Sequence, residues 1–294
     1  MPNWKVGDTK TAFIEKVSSE VEVGESDPEE VVESSVVRFE VKKDTEHFFV
    51  VQVTLEDVAL RTLIEFYKNI EDEEVETKDL SLLYNVDKIS GQAELVNWQE
   101  VQAMIQKDYD KVLTLIHKVA PETKEYTATV FGNIKALFET KESIEAAMMN
   151  EIDFILEPFQ NDFIFGDTVV HINRSENPFK PTDSITQITK LYLANFDSEK
   201  STCEIHKTID LNLTEFKQMM TDMMLKFVDA ENEEEVIKMK NEIDLLDFKV
   251  HNRTAMTYDM NTTWPLKVVK EYNVKSVRIG GAVERNANTT IRIE

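Results

Sequence analysis

The residues of this chain best equipped for chemistry are five histidines, a single cysteine and 56 carboxylates, and their spacing governs what they can do. His47, His117, His171, His206 and His251 stand singly, with no His-x-x-x-His or His-Glu-x-x-His pair to put two zinc-binding nitrogens on one helical turn. His171 and His206 fall on strand-like segments of the same half and could approach one another. Cys203 has no partner for a disulfide and sits in a strand-like segment, where a buried, inert thiol is expected rather than a nucleophile. The strained Gly-x-Ser-x-Gly turn that presents a nucleophilic serine is missing, and the glycines form neither a dinucleotide loop nor a P-loop. With so many carboxylates, close pairs such as Asp108 and Asp110 arise by chance and identify no acid and base. The expectation is therefore a chain without catalytic residues, metal ligands or cofactor, whose stability does not depend on metal.

One segment pulls toward binding. Phe216, Met220, Met223 and Phe227 recur at helical spacing with Met219 and Met224 alongside, a broad and adaptable apolar face. Such a face packs as core beneath a curved sheet or lines a cavity for an apolar ligand, and Met220 and Met223 are expected to be largely buried in either case. Phe216, Met220, Met223, Met224 and Phe227 are the candidate ligand face, which Trp98 and Trp264 could join.

The elements that would position these residues begin with a tripeptide that occurs twice, Gly7-Asp8-Thr9 and Gly166-Asp167-Thr168, each time just before strand-like segments. Gly supplies positive φ, and Asp or Thr satisfies local backbone donors, so the tripeptide reads as a turn and strand start. In the first half, Thr9 to Val23, Val36 to Val41 and Phe48 to Leu55 read as strands, and Leu80 to Val86 with Ala93 to Val96 as a hairpin. Asn97 and Glu100 form a capping-box pattern at the start of a helix running to Pro121, followed by helices over Glu122 to Phe138 and from Thr140 to Phe163. Pro158 should kink or end the last of them. In the second half, strands are predicted at Val169 to Asn173, Ile185 to Phe196, Thr202 to Leu213, Phe248 to Met260, Leu266 to Tyr272 and Thr289 to Ile293. A helix runs from Thr214 to about Val228, and Gly280-Gly281 marks a turn before the last strand.

Composition limits the class. A chain of 294 residues with 41% hydrophobic and 30% charged residues folds, and its length suits two domains or one large domain with an internal repeat. No window approaches the ~18 consecutive apolar residues of a membrane span. The formal charge of −23 opposes polyanions, because nucleic-acid binders need a cationic patch to displace counterions, so no binding of nucleic acid is expected at physiological salt. The acidic runs Glu20 to Glu33, Glu71 to Asp79 and Asp229 to Glu235 read as solvated loops. The second lacks the alternating ligands and turn glycine of an EF-hand.

Trp4-Lys5-Val6-Gly7-Asp8-Thr9, the segment Ile89 to Val101, the second Gly166-Asp167-Thr168 and Thr263-Trp264-Pro265-Leu266-Lys267 resemble, in order along most of the chain, families of uncharacterised exported proteins and lipoproteins of Bacteroidetes-type bacteria. The resemblance implies a periplasmic or cell-surface location and carries over no catalytic residue. The first residues show no basic and apolar leader and no lipidated cysteine, which leaves a cytoplasmic location as the alternative. Together these features predict an α+β protein of two related lobes, each a curved antiparallel sheet packed on helices. Residues 1–165 would hold the first lobe and the central helices, and 166–294 the second lobe with the Met-rich helix. The expected role is non-enzymatic binding of a protein partner or a small apolar ligand on the curved sheets. A hydrolase or metal-dependent enzyme with a site assembled from distant residues is the alternative.

Overall fold

Alternation along the strands separates one apolar face from one polar face. Val37, Phe39 and Val41, Val51 and Val53, Leu82, Tyr84 and Val86, Leu191, Ile205, Met256 and Tyr258, Val268, Ile291 and Ile293 are all buried at every second position. A period of two over so many segments forces a sheet with one inner face. The computed structural model describes residues 2–22, 29–55, 79–119, 121, 138–149, 152–157, 160–177, 180–224, 237, 240–241, 243, 247–278 and 281–294.

The strands are β1 (Thr9–Glu22), β2 (Glu29–Asp44), β3 (Phe48–Leu55), β4 (Leu80–Asp87), β5 (Ala93–Leu95), β6 (Thr168–Asn177), β7 (Lys180–Asp197), β8 (Thr202–Leu211), β9 (Asp247–Asp259), β10 (Pro265–Arg278) and β11 (Gly281–Ile293). The helices are α1 (Trp98–Val119), α2 (Lys141–Met149), α3 (Asp153–Leu156) and α4 (Leu213–Met224). All eleven strands belong to one antiparallel sheet in the order β5-β4-β3-β2-β1-β11-β10-β9-β8-β7-β6. The expected two lobes packed on helices are therefore replaced by one barrel-like sheet that does not close. Pairing of the first strand with the last overturns them: β1 and β11 run in register from Ala12 opposite Ile293 to Glu22 opposite Val283. Reciprocal backbone bonds of 3.0 Å between Thr11 and Glu294, and Arg285 Nε on Glu20 at 2.7 Å, complete the junction.

The two Gly-Asp-Thr segments make the same turn, with Gly7 at φ 90° and Gly166 at φ 92°. The Asp8 N–H donates to the Lys5 carbonyl (2.9 Å) and the Asp167 N–H to that of Ile164 (3.0 Å). Yet β1 lies in the middle of the sheet and β6 at its edge, so the tripeptide repeats a turn and not a place in two equivalent lobes. The first acidic run is also reassigned in part, because Glu20–Glu22 and Glu29–Glu33 lie within β1 and β2. The helix expected over 122–138, Pro158, Gly280 and the other two acidic runs fall wholly or mainly outside the described residues.

Inside the sheet, Ile144 of α2, Phe154, Ile155 and Leu156 of α3, and Val101 of α1 join the strand residues in one core. Two tyrosines of the inner face hold this helical filling by its main chain. Tyr258 donates to the Phe154 carbonyl at 2.5 Å and Tyr84 to the Met148 carbonyl at 3.3 Å. At one end of the core Trp4 and Trp264 stack with centroids 4.7 Å apart, flanked by Phe39 and Phe49. The first and last of the segments carrying the sequence resemblance thus meet in space.

The two sheet edges differ. The three-residue β5 is covered: the Leu95 N–H donates to Glu145 Oε1 (2.8 Å), and Asn97 continues the strand with its side chain. Asn97 Oδ1 accepts from the Leu83 N–H (2.8 Å) and its Nδ2 donates to the Ser81 carbonyl (2.9 Å). The expected capping box is accordingly absent, since the side chain that would cap α1 is engaged with β4. Loss of both bonds from a half-buried strand gives Asn97→Ala an expected cost of about 1–3 kcal/mol, read from the shift of a urea unfolding midpoint. A cost below about 0.5 kcal/mol would assign Asn97 to an ordinary helix start, where surface changes have small effects.

Candidate functional site

The gap between β5 and β6 is where the sheet fails to close, and the chain after α3 crosses it. Gln160 Nε2 donates to the Gly91 carbonyl beside β5 (3.3 Å), while Asn161 Oδ1 accepts from His171 Nε2 of β6 at 2.6 Å. Beneath this bridge lies a cleft of about 530 Å³. Its floor is the inner face of β6, β7 and β8, where register puts His171 opposite Thr189, Asn173 opposite Gln187 and Leu191 opposite Lys207. Its roof is Asp153, Glu157, Gln160 and Asn161, and Gln92 closes the β5 side. A second cleft of about 440 Å³ shares Gln92, Gln160 and Asn161 with the first.

The helical turn from Asp153 to Glu157 sets the electrostatics, because residues four apart share one helix face. Lys207 Nζ reaches both Glu157 oxygens, at 2.9 and 3.0 Å, with the side chains only 19% and 12% exposed. The Asp153 carboxyl accepts no hydrogen bond from any described residue, while its main-chain carbonyl accepts from the Glu157 N–H. Burial raises its pKa above the ordinary value, Glu157 adds to the rise, and Lys207 and Lys270 oppose it. The cleft therefore offers a half-buried carboxyl without a donor among the described residues, one neutralised ion pair, a histidine and several carboxamides. Its volume falls within the roughly 300–1,000 Å³ typical of small-molecule sites, although its lining is more polar than most.

The sequence-predicted candidates lie elsewhere. Phe216 and Met220 are half-buried on α4, whose first turn is fixed by Asn212 Oδ1 accepting from the Thr214 and Glu215 N–H groups. Glu215 in turn accepts from the Thr186 backbone N–H of β7. The side chains of Met223 and Met224, and all of Phe227, fall outside the described residues. Trp98 and Trp264 lie away from α4: Trp98 packs against the central core, and Trp264 is part of it. Cys203 is half-buried on β8, with burial raising its thiol pKa. His171 and His206 do not meet, because they occupy opposite faces of the sheet. Among the described residues no three His, Cys, Asp or Glu side chains gather as a metal set.

On the outer face His206 has its own network. Its Nδ1 lies 3.0 Å from the Tyr192 hydroxyl and 3.2 Å from an Arg253 guanidinium nitrogen, and its Nε2 lies 2.5 Å from Glu204 Oε1. Arginine can only donate, so Nδ1 is the acceptor and the proton sits on Nε2, facing the carboxylate.

Sequence reasoning missed the cleft because its walls come from five separate segments. One signal was present: Asp153 interrupts the apolar series Ile152, Phe154, Ile155, Leu156, and a carboxylate so placed is carried into an interior.

No family model and no curated protein matches the chain. Among solved structures, an outer membrane channel from Pseudomonas putida F1 aligns over 100% of this chain and 97% of its own at 8% identity and a TM-score of 0.24. Ail, the attachment invasion locus protein of Yersinia pestis, aligns over 99% and 100% at 5% identity and a TM-score of 0.15. Scores this low assign neither fold nor function. No helix among the described residues is long and apolar enough to cross a membrane. The outer face bears Arg38, Lys190, Arg253, Lys267 and Arg292, each next to a buried inward residue. The same face also exposes Phe13, Val170 and Ile172, so it is mixed in polarity.

Proposed function

We propose that this chain is a non-enzymatic binding protein that holds a small polar molecule in the cleft at the open seam of its sheet. The observation that carries the reading is the cleft's construction from a strand floor and a roof that begins with a helical turn, with a half-buried Asp153 carboxyl there that has no hydrogen-bond donor among the described residues. The apolar part of the inner face is occupied by the chain's own Phe154, Ile155 and Leu156, so the free volume is polar. This favours a polar ligand over the apolar one expected from the methionine helix. A periplasmic or cell-surface setting is supported by the resemblance of its terminal and central segments to exported proteins. The enzymatic alternative would rest on Tyr192, His206 and Glu204, which lie on the outward face, away from the cleft.

A thermal-unfolding screen against a library of polar metabolites tests the reading. A true ligand at 100 times its Kd should stabilise the protein by about 2.7 kcal/mol. Gln187→Trp, which fills the cleft floor, should abolish that stabilisation while the variant retains its cooperative unfolding. Stabilisation that survives this substitution would place the ligand elsewhere.

A further inference from the structure

The charges around the cleft cancel. Asp153 and Glu157 are balanced by Lys207, paired with Glu157, and by Lys270, which also acts electrostatically on Asp153 from near the Phe154 ring. A net-charged ligand would leave its charge uncompensated in a partly buried site, which is costly. The remaining polar lining consists of His171, whose Nε2 is bonded to Asn161, and of Gln92, Gln160, Asn161, Asn173, Gln187 and Thr189, and each of these last six side chains both donates and accepts. Asp153 needs donors and can take two, one on each carboxylate oxygen. Complementarity to this set calls for a neutral molecule carrying several groups that each donate and accept on adjacent atoms, which is the chemistry of vicinal hydroxyls.

We propose that the cleft binds a saccharide, with adjacent hydroxyls donating to Asp153 and the remaining ones bonded by the carboxamides of Asn173 and Gln187 on the floor and Gln160 on the roof. A volume of about 530 Å³ accommodates one or two sugar rings. This inference rests on the binding reading above and narrows its ligand. Because a site built to hydrogen-bond hydroxyls is left with unpaired buried groups when they are missing, deoxy analogues should bind far more weakly.

Titration calorimetry on the full chain decides it, with glucose, galactose, mannose, N-acetylglucosamine, maltose and trehalose as probes and spermidine and citrate as charged comparators. At least one saccharide should bind, and Asp153→Asn and Gln187→Ala should each weaken it about tenfold or more, a loss of at least 1.4 kcal/mol. Circular dichroism of both variants should match the parent. Failure of all six saccharides, or equal affinity in both variants, overturns the saccharide assignment. Binding of spermidine or citrate that Gln187→Trp abolishes would do so while leaving the cleft as a ligand site. Absence of binding by every probe, together with no hit in the wider polar library, would remove the binding reading as well.

Discussion

Trp264→Ala is expected to lower the unfolding free energy by about 3–5 kcal/mol, the range for truncating a buried large aromatic. Trp264 is 2% exposed, stacks on Trp4 at 4.7 Å and lies 6.2 Å from Phe39, which in turn meets Phe154 edge-on at 6.1 Å. One side chain thus joins the amino-terminal segment, the β9–β10 hairpin, β2 and the helical filling. Native domains are stable by only about 5–15 kcal/mol, so the loss consumes much of the total. If the variant proves too unstable to purify, Trp264→Phe keeps part of the contact and should show a smaller loss by urea unfolding. A double-mutant cycle with Trp4→Phe should return a coupling of about 0.5–1.5 kcal/mol, the excess typical of aromatic pairs. Ile89→Ala, at a position 84% exposed, should change stability by no more than about 0.5 kcal/mol. A Trp264→Ala variant within 1 kcal/mol of the parent would mean that the amino-terminal segment is not locked to the β9–β10 hairpin through this cluster.

The elements were largely legible in the sequence, and their assembly was not. β3 and β4 show the alternation of buried positions that valine, phenylalanine and leucine spacing announces, because side-chain period is a local property of a strand. Pairing of β1 with β11 is a contact between opposite ends of the chain, and no local pattern encodes it. Without it the same strands divide naturally into two lobes around the central helices, which is how the two Gly-Asp-Thr turns invite them to be read. Asn97 shows a second kind of failure: the capping-box spacing was present, but a carboxamide matches a strand's donor and acceptor equally well, and the unfinished edge of β4 claimed it. The methionine series marked a helix, as α4 confirms, but apolar periodicity names a face and not what covers it. The cleft was hidden for a different reason. Asp153, Asn173, Gln187 and Lys207 are ordinary polar residues of separate elements, and only register and helix phase bring them around one volume.

Lys207→Met tests that convergence with the other large expected effect, a destabilisation of about 3 kcal/mol at neutral pH. The figure is the lower end of the range for breaking a buried ion pair, since Lys207 and Glu157 both retain some contact with water. The cost arises because Glu157 loses its partner, while Asp153 loses the larger of the influences that hold its pKa down. The pH dependence has a definite sign. Asp153 titrates above the ordinary aspartate value in the folded protein, so between that ordinary value and its raised one the folded state binds more protons than the unfolded state. Stability is therefore lost as pH rises through this window and regained as pH falls. Removing Lys207 should widen the window upward, so the deficit of the variant relative to the parent should shrink on acidification toward about pH 4, near the model-peptide aspartate pKa. Denaturant midpoints measured from neutral pH down to pH 4 give the comparison directly. Pairing Lys207→Met with Glu157→Leu should recover most of the loss, because replacing a whole buried pair by apolar groups is often neutral, whereas removing one partner is not. A deficit that stays constant across the pH range, or a double variant no more stable than the single one, would mean that Lys207 acts through packing alone and that the roof of the cleft is not held down by charge.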